Sequence, residues 1–185
     1  MEKILNLVKR LSYVLIAMVF VLAIVFIVLR SNPVAPTEKP AEIVGDELTA
    51  DNIVNVVNWE RYKAGLPLLQ RSEILERVAN AKLQDMLEYC YWEHTNPITG
   101  VEFDYWFEQE GYSSIGSPIG ENLGRYFKTT SQAVEGWLNS PSHRAAMLNS
   151  DYSETGVAVS QTACPQKGIS IEGIWIVQEF GGAPK

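Results

Sequence analysis

The stretch WLNSPSHRAAML, residues 137–148, organises this 185-residue chain because it places one of only two histidines at the start of a helix. Ser140 is a favourable N-cap and Pro141 a favourable first helical residue, which sets His143 in the first turn. The positive end of a helix dipole disfavours imidazolium. We therefore expect His143 to be neutral at pH 7 and able to accept a hydrogen bond or a metal ion.

The other histidine and a carboxylate lie upstream of this helix. His94 occurs in WEHTNP, and Glu121 occurs in GENL, residues 120–123. Two imidazoles and a carboxylate match the protein ligands of many zinc sites, in which a fourth position holds an activated water. His94, His143 and Glu121 are therefore candidate ligands for Zn²⁺. The alternative is a hydrogen-bonded polar cluster that holds a loop to a helix, and spacing does not separate the two.

The order of predicted elements favours an α+β fold rather than a parallel-sheet fold. Capping residues and helical spacing predict helices first. A Gly/Ser-rich loop over 111–120 is expected to deliver Glu121, and two strands rich in Val, Ile and Trp close the chain. The predicted helices span 49–64, 72–91, 103–111 and 131–139, followed by the helix that carries His143; the predicted strands span 155–161 and 169–180, joined by a hairpin loop.

The N-terminus predicts a membrane anchor. Residues 11–29 contain no charged side chain and are bracketed by Lys9, Arg10 and Arg30. As a helix this run is about 28 Å long, close to the thickness of a bilayer core of about 30 Å. A cleaved signal peptide is the alternative, but its apolar region is normally shorter and a small-residue cleavage site follows it. We expect a cytoplasmic segment at 1–10, a transmembrane signal anchor at 11–30 and the C-terminal domain outside the cell.

The segment between the anchor and the domain is predicted to be an extended tether, residues 31–48, because it holds three prolines and little to bury. From Thr49 onward, 10 Lys and Arg face 17 Asp and Glu. An acidic domain without a basic stripe is not expected to bind nucleic acid.

Two cysteines, Cys90 and Cys164, are present. In an oxidising exterior such a pair favours a disulfide, which would stabilise the domain by about 4 kcal/mol. Two separate buried thiols are the alternative. A catalytic Cys90–His94 dyad is disfavoured because the helix is predicted to end near Tyr91.

Several common catalytic motifs are absent from the sequence. It lacks a G-x-S-x-G elbow, a P-loop and an HExxH motif.

Several blocks resemble the CAP superfamily of cysteine-rich secretory proteins, antigen 5 and pathogenesis-related proteins, in particular its prokaryotic SCP-like extracellular branch. They occur in the same order along the chain: NWERYKAGLPLL (58–69), HTNP (94–97), GENL (120–123), AVEGWLNSPSHRAAML (133–148), YSETGVAV (152–159) and WIVQEFG (175–181).

The resemblance implies an α–β–α sandwich, with a small antiparallel sheet between helical layers, over residues 49–185. It also implies a cleft lined by two histidines and two acids, of which His94, Glu121 and His143 match three. The fourth position is Ser140 here, and Gln178 matches a polar position that often faces the cleft. Divalent metal, chiefly zinc, and lipids are the ligands that the resemblance implies.

Three functions remain open at this level. The first is a membrane-anchored, single-pass extracellular module that binds a lipid, a peptide or an envelope polymer. The second is a zinc-dependent hydrolase or peptidase in which Glu121 is a ligand or general base. The third is a structural envelope protein in which the polar cluster is a buttress. The site lacks an evident nucleophile, which favours binding over catalysis.

Overall fold

The computed structural model describes residues 39–40, 45–112, 116–161 and 174–183, together with Met18. Residues 35–185 belong to one compact unit. Its helices are α1 (Ala50–Lys63), α2 (Glu73–Tyr89), α3 (Asp104–Gln109), α4 (Thr130–Asn139) and α5 (Pro141–Met147). Its strands are β1 (Gln70–Arg71), β2 (Ile119–Phe127), β3 (Glu154–Ser160) and β4 (Ile174–Gly181).

All five predicted helices are confirmed, with ends within two residues of those expected. The caps explain this agreement. The side chain of Thr49 accepts a hydrogen bond from the backbone N–H of Asn52 at 3.2 Å, and Ser140 and Pro141 begin α5 as predicted. Cap residues act locally, so their effect can be predicted without knowledge of the tertiary structure.

The sheet differs from the predicted small antiparallel sheet because it is mixed. Its strand order is β1-β3-β4-β2. Strands β2 and β3 are antiparallel to β4, whereas β1 runs parallel to β3 and pairs Gln70 with Glu154. The antiparallel sheet that the resemblance implies therefore holds for β2, β3 and β4, and β1 is the exception, because a two-residue strand carries no periodic signal.

Strand β2 replaces part of the predicted loop and carries Glu121 within a strand. Glycines at 120 and 124 weaken the pattern that predicts a strand, because glycine lacks a side chain to pack. At Gly120 the packing requires glycine: an added Cβ would lie 2.3 Å from the hydroxyl oxygen of Tyr152. Gly120 therefore weakens the sequence pattern of a strand, yet its lack of a side chain allows β2 to pack against Tyr152.

Helices cover both faces of the sheet. On one face, α1, α4 and α5 bury a cluster that includes Ile53, Trp137 and Ile176. On the other face, α2 packs through Leu83 and Met86 onto Trp175 and Val177. Strand β2 is an edge strand, so one edge of the sheet lies between the two helical layers without a further strand beside it in the described residues.

The packed domain begins upstream of the boundary predicted at Thr49. Leu48 is buried, and the carbonyl oxygen of Glu47 accepts a hydrogen bond from the hydroxyl of Thr130 at 2.6 Å. Asp46 accepts one from the backbone N–H of Ser131 at 2.8 Å. The last residues of the predicted tether therefore anchor α4.

Several predictions fall largely or wholly outside the described residues. These are the span at 11–30, the first part of the tether, the hairpin loop, the first residues of the last strand and Cys164. Within the described part of the chain, no helix is long and apolar enough to cross a bilayer. Cys90 has no disulfide partner among the described residues and ends α2 with a left-handed φ of 54°. The disulfide stays a prediction.

Candidate functional site

The two histidines enter one cleft from opposite layers of the domain. His94 follows α2, and His143 lies in the first turn of α5. The cleft lies against edge strand β2 and has a volume of about 480 Å³. Its lining combines aromatic, aliphatic and polar groups: Trp92, Glu93, His94, Thr95, Leu123, Ser142 and His143.

A buried lysine holds the segment that carries His94. Lys82 is fully buried in α2. Its ammonium group donates to the carbonyl oxygens of Glu93 at 3.0 Å and His94 at 2.7 Å, and to the hydroxyl of Tyr91 at 2.9 Å. These three acceptors use all three N–H donors of the group. Burial lowers the pKa of Lys82, and nearby carboxylates, with Glu121 first among them, oppose that shift.

A second contact fixes the same segment one turn further along α2. The carboxylate of Asp85 accepts hydrogen bonds from the hydroxyl of Tyr91 and from the side-chain amide of Asn96, the latter at 3.1 Å. The side-chain oxygen of Asn96 in turn accepts from the backbone N–H groups of Ile98 and Thr99. The loop after α2 is therefore attached to the helix at several points, and His94 projects from a fixed backbone.

Glu121 orients the ring of His94. Its Oε1 lies 2.6 Å from Nδ1 of His94, and the Glu121 side chain is 1% exposed whereas that of His94 is 55% exposed. A carboxylate at Nδ1 keeps the proton on that nitrogen and leaves Nε2 of the neutral ring as an acceptor. The sequence placed these two residues in one site, and the structure brings them into direct contact.

A second carboxyl group, Glu179 of β4, lies behind Glu121. The two residues are directly opposite each other in the β2–β4 pair, and their carboxyl groups are within hydrogen-bonding reach. Oε2 of Glu121 and both carboxyl oxygens of Glu179 are buried and receive no hydrogen bond from any described side chain or backbone group. A proton shared between the two carboxyl groups would pair two of these three oxygens. Burial first and the charge of Glu121 second raise the pKa of Glu179 well above its ordinary value, against the effect of Lys82.

His143 is fixed through its backbone. The side-chain amide of Asn122, next to Glu121 in β2, donates to the carbonyl oxygen of His143 at 3.2 Å. The pKa of His143 is lowered by burial first and by the neighbouring His94 second. The direction of this shift agrees with a neutral His143, and burial is its largest cause.

A buried arginine holds the C-terminal end of α5, the helix that carries His143. Arg61 of α1 is fully buried and donates to four carbonyl oxygens, those of Pro67, Met147, Asn149 and Tyr152, at 2.8–3.0 Å. Met147 is the last residue of α5, where unpaired carbonyl oxygens favour a cation. Burial lowers the pKa of Arg61 to about 10, which still leaves the group charged at neutral pH.

The remaining predicted site residues lie outside the cleft lining. Ser140 is the N-cap of α5, and its hydroxyl is 3.4 Å from that of Ser142. Gln178 is fully buried between strands and donates to the hydroxyl of Thr155 at 3.2 Å. Neither residue supplies the second acid that the family resemblance implies, and the carboxyl group closest to Glu121 in the β2–β4 pair comes from Glu179 instead.

The arrangement does not fit a zinc site with three protein ligands. Among the described residues, no group of three or more His, Cys, Asp or Glu side chains is placed to hold a metal ion. Glu121 faces Nδ1 of His94, as a residue that orients a ligand does. Of the three predicted ligands, only the outer nitrogen of His94 and the ring of His143 are then available to an ion, below the three protein ligands of catalytic zinc sites.

Sequence reasoning missed three buried charged or acidic residues, Arg61, Lys82 and Glu179. The lysine and the arginine lie in amphipathic helices, where long basic side chains are usually solvated. Glu179 is part of a block that was recognised, but its pairing with Glu121 depends on a strand that was not predicted. A Gln and a Glu within a largely apolar strand, WIVQEFG, were the available signal.

Comparison with known proteins places these features in a family. A profile of the Cysteine-rich secretory protein family (CAP) matches residues 54–180. The YkwD protein of Bacillus subtilis, uncharacterized, is 36% identical over 121 residues, which are 65% of this chain and 45% of that protein. The membrane protein YlbC of the same bacterium, also uncharacterized, is 37% identical over 109 residues, 59% of this chain and 31% of the relative. The chain thus spans less than half the length of these two relatives.

Solved structures share the fold. An extracellular protein containing an SCP domain from Bacillus anthracis superposes with a TM-score of 0.61 at 24% identity, over 78% of this chain and 47% of that one. An outer surface protein of Borrelia burgdorferi superposes with a TM-score of 0.58 at 22% identity, over 75% of this chain and 98% of its own. At these identities the likeness concerns the fold alone.

The first prediction concerns the buried ammonium group. We expect Lys82→Met to lower the free energy of unfolding by about 3 kcal/mol, because it leaves three acceptors, one of them buried, and the nearby buried carboxylates without their cation. Lys63→Met is the control, since Lys63 is a solvated lysine paired with Glu60 at 2.8 Å and should cost less than about 1 kcal/mol. Urea unfolding followed by tryptophan fluorescence measures both, and equal losses would contradict the role of Lys82.

The second prediction concerns the carboxyl pair. The folded protein holds the Glu179 proton more tightly than the unfolded chain does, so stability falls as pH rises from the ordinary glutamate pKa, about 4.3, toward the raised pKa. Glu179→Gln supplies an amide donor that does not titrate. We expect the stability of wild type relative to this variant to decline as pH rises above about 4.3, by at most about 1.4 kcal/mol per pH unit. A difference that does not depend on pH would refute the shared proton.

Proposed function

The chain belongs to the cysteine-rich secretory protein (CAP) family, and we propose that its C-terminal domain is a ligand-binding module held outside the cell membrane. Two observations support the location. The uncharged run at residues 11–29 is long enough to span a bilayer. The names of similar proteins include a membrane protein and an extracellular protein. The proposal includes a single-pass anchor at 11–30.

The cleft at the edge of β2 is the observation that carries the proposed function. Its volume of about 480 Å³ is typical of small-molecule sites. Its walls combine apolar surfaces, from Trp92 and Leu123, with hydroxyl and imidazole groups and the carboxyl group of Glu93. Such a lining suits a ligand with an apolar or ring-shaped part and several hydrogen-bonding groups, as lipids, peptides and envelope polymers have.

The backbone anchors make the site rigid before a ligand arrives. The hydrogen bonds of Lys82 hold the His94 loop, and those of Arg61 and Asn122 hold α5. A site held in its binding geometry loses little conformational entropy on binding. A neutral His143 and a His94 ring oriented by Glu121 can each accept or donate one hydrogen bond to a ligand.

Hydrolysis is less well supported than binding. Among the described residues, no serine, threonine or cysteine is hydrogen bonded to either imidazole, as nucleophilic catalysis requires. The carboxylate that could serve as a general base, Glu121, is buried and occupied by His94. The same residues suit an oriented hydrogen-bonding surface.

Filling the cleft tests the proposal. Ser142 lines the cleft and is exposed, so Ser142→Trp should occupy it without disturbing the core. The full-length chain in detergent can be tested against cell-wall sacculi by sedimentation, and against muropeptides and short-chain phosphatidylglycerol by calorimetry. We expect at least one probe to bind, and Ser142→Trp to weaken it by about tenfold or more.

The matched control places the same side chain elsewhere. Ser150 is exposed in the turn after α5 and is not part of the cleft lining, so Ser150→Trp should bind within about twofold of wild type. Failure of all three probes, or equal binding by the two variants, would contradict a ligand-binding cleft.

Zinc titration separates binding from metal-dependent hydrolysis. With only two imidazole nitrogens available, we expect the chelator-stripped chain to bind Zn²⁺ more weakly than about 1 µM, since tight sites use three or four protein ligands. Calorimetry beside a His143→Ala control measures this. Submicromolar binding that the control loses would favour the hydrolase and require Glu121 to move from His94 to the metal.

A further inference from the structure

One cation lies beside the cleft without an acidic partner. Arg125 of β2 is half-buried, and no carboxylate among the described residues lies within ion-pairing distance of it. No described group accepts a hydrogen bond from its guanidinium. In a chain with a formal net charge of −7, an arginine that no carboxylate of the described residues pairs with is a notable feature.

Two aromatic rings clamp this guanidinium. Its central carbon lies 4.4 Å from the ring centroid of Trp92 and 5.0 Å from that of Tyr126. Stacking against the flat faces leaves the N–H donors in the guanidinium plane available at its edge. Because the rings restrict the side chain, much of the entropy that a free arginine loses on binding has already been lost.

The backbone at Tyr126 departs from regular strand geometry to place this ring. Tyr126 has a φ of 67°, and the register with β4 shifts between Arg125 and Phe127. A left-handed conformation is unfavourable for a tyrosine, and such residues cluster at binding sites. The Tyr126 ring is 51% exposed, so burial of the ring does not explain its position.

The clamp is continuous with the cleft. Trp92 belongs to both, and Leu123 lines the cleft two residues before Arg125 on the same side of β2. Residues two apart along a strand are about 7 Å apart. A ligand lying in the cleft can therefore reach Arg125 with a neighbouring group.

We infer that Arg125, held between Trp92 and Tyr126, is an anion subsite of the cleft, which binds a phosphate or carboxylate group carried by the ligand. A planar fork of N–H donors suits bidentate contact with an oxyanion. The inference rests on the proposed function for its physiological ligand, and it narrows that ligand to an anionic envelope component.

Phosphate titration of the isotope-labelled full-length chain tests the subsite directly. Inorganic phosphate, glycerophosphodiester and acetate serve as the probes, and nuclear magnetic resonance follows the side-chain N–H signals of Arg125 and Trp92. We expect saturable shifts of both signals with at least one probe. Binding to phosphodiester but not to free phosphate would assign the subsite to a polymer or headgroup, and the reverse to a terminal phosphate; no shift with any probe would overturn the inference.

Substitutions of Arg125 and Lys128 distinguish binding by the stacked guanidinium from attraction by any positive charge. Arg125→Gln should weaken binding about tenfold or more, as loss of a charged hydrogen bond does. Arg125→Lys keeps the charge but loses the planar fork, and should weaken it about threefold or more. Lys128→Gln removes an exposed charge from the same end of β2 and should change it by less than about twofold. Equal effects of Arg125→Gln and Lys128→Gln would overturn the inference.

The Tyr126→Gly variant tests whether the Tyr126 ring serves phosphate binding or only the folding of the strand. Glycine favours a positive φ, so this variant relieves the backbone while removing one side of the clamp. We expect it to fold and to bind phosphate more weakly, whereas unchanged affinity would overturn the clamp. The two tests can fail separately. If phosphate shifts the Arg125 and Trp92 signals but no larger probe binds, the anion subsite stands and the proposed function is contradicted. If a larger probe binds but phosphate causes no shift, only the anion subsite is contradicted.

Discussion

Two buried cations bind main-chain carbonyl oxygens, and the cleft depends on both. Arg61 and Lys82 lie on opposite faces of the sheet, and each is fully buried. Burying an unpaired charge is costly unless its donors are satisfied. Arg61 meets this requirement with carbonyl oxygens around α5, and Lys82 with those beside His94. The same bonds that satisfy the cations fix the two backbone segments that carry the histidines.

The charge distribution behind the histidines follows from this arrangement. Lys82 is a positive charge close to four carboxyl groups, of which those of Glu121, Asp85 and Glu179 are buried. Burial and the charge of Glu121 raise the pKa of Glu179 well above its ordinary value, which favours a protonated Glu179 and reduces the excess of negative charge in the interior. Glu121 therefore keeps one oxygen for His94 and one for Glu179. The acid that orients the histidine is itself held in place from the adjacent strand.

The sequence allowed correct prediction of the features that depend on neighbouring residues. Thr49 and the Ser140-Pro141 pair defined helix starts, and the conjunction of His94 with Glu121 followed from the family resemblance. Features that depend on pairing across the sheet were not accessible. The partnership of Glu121 with Glu179 exists only because β2 and β4 pair in one register, and the glycines of β2 conceal that strand.

Strand β2 links these features through its alternation of side chains. Glu121, Leu123 and Arg125 project to one side of the strand. Glu121 orients His94, Leu123 forms part of the cleft lining, and Arg125 is the cation that contacts Trp92. Asn122 projects to the other side and binds the backbone of His143. A register slip of one residue would exchange the two sides and remove every one of these contacts. The bulge at Tyr126 interrupts the alternation directly after Arg125, so this row of three side chains ends at the cation. The register of β2 and its bulge therefore determine which side chains lie beside His94, beside the cleft and beside Trp92.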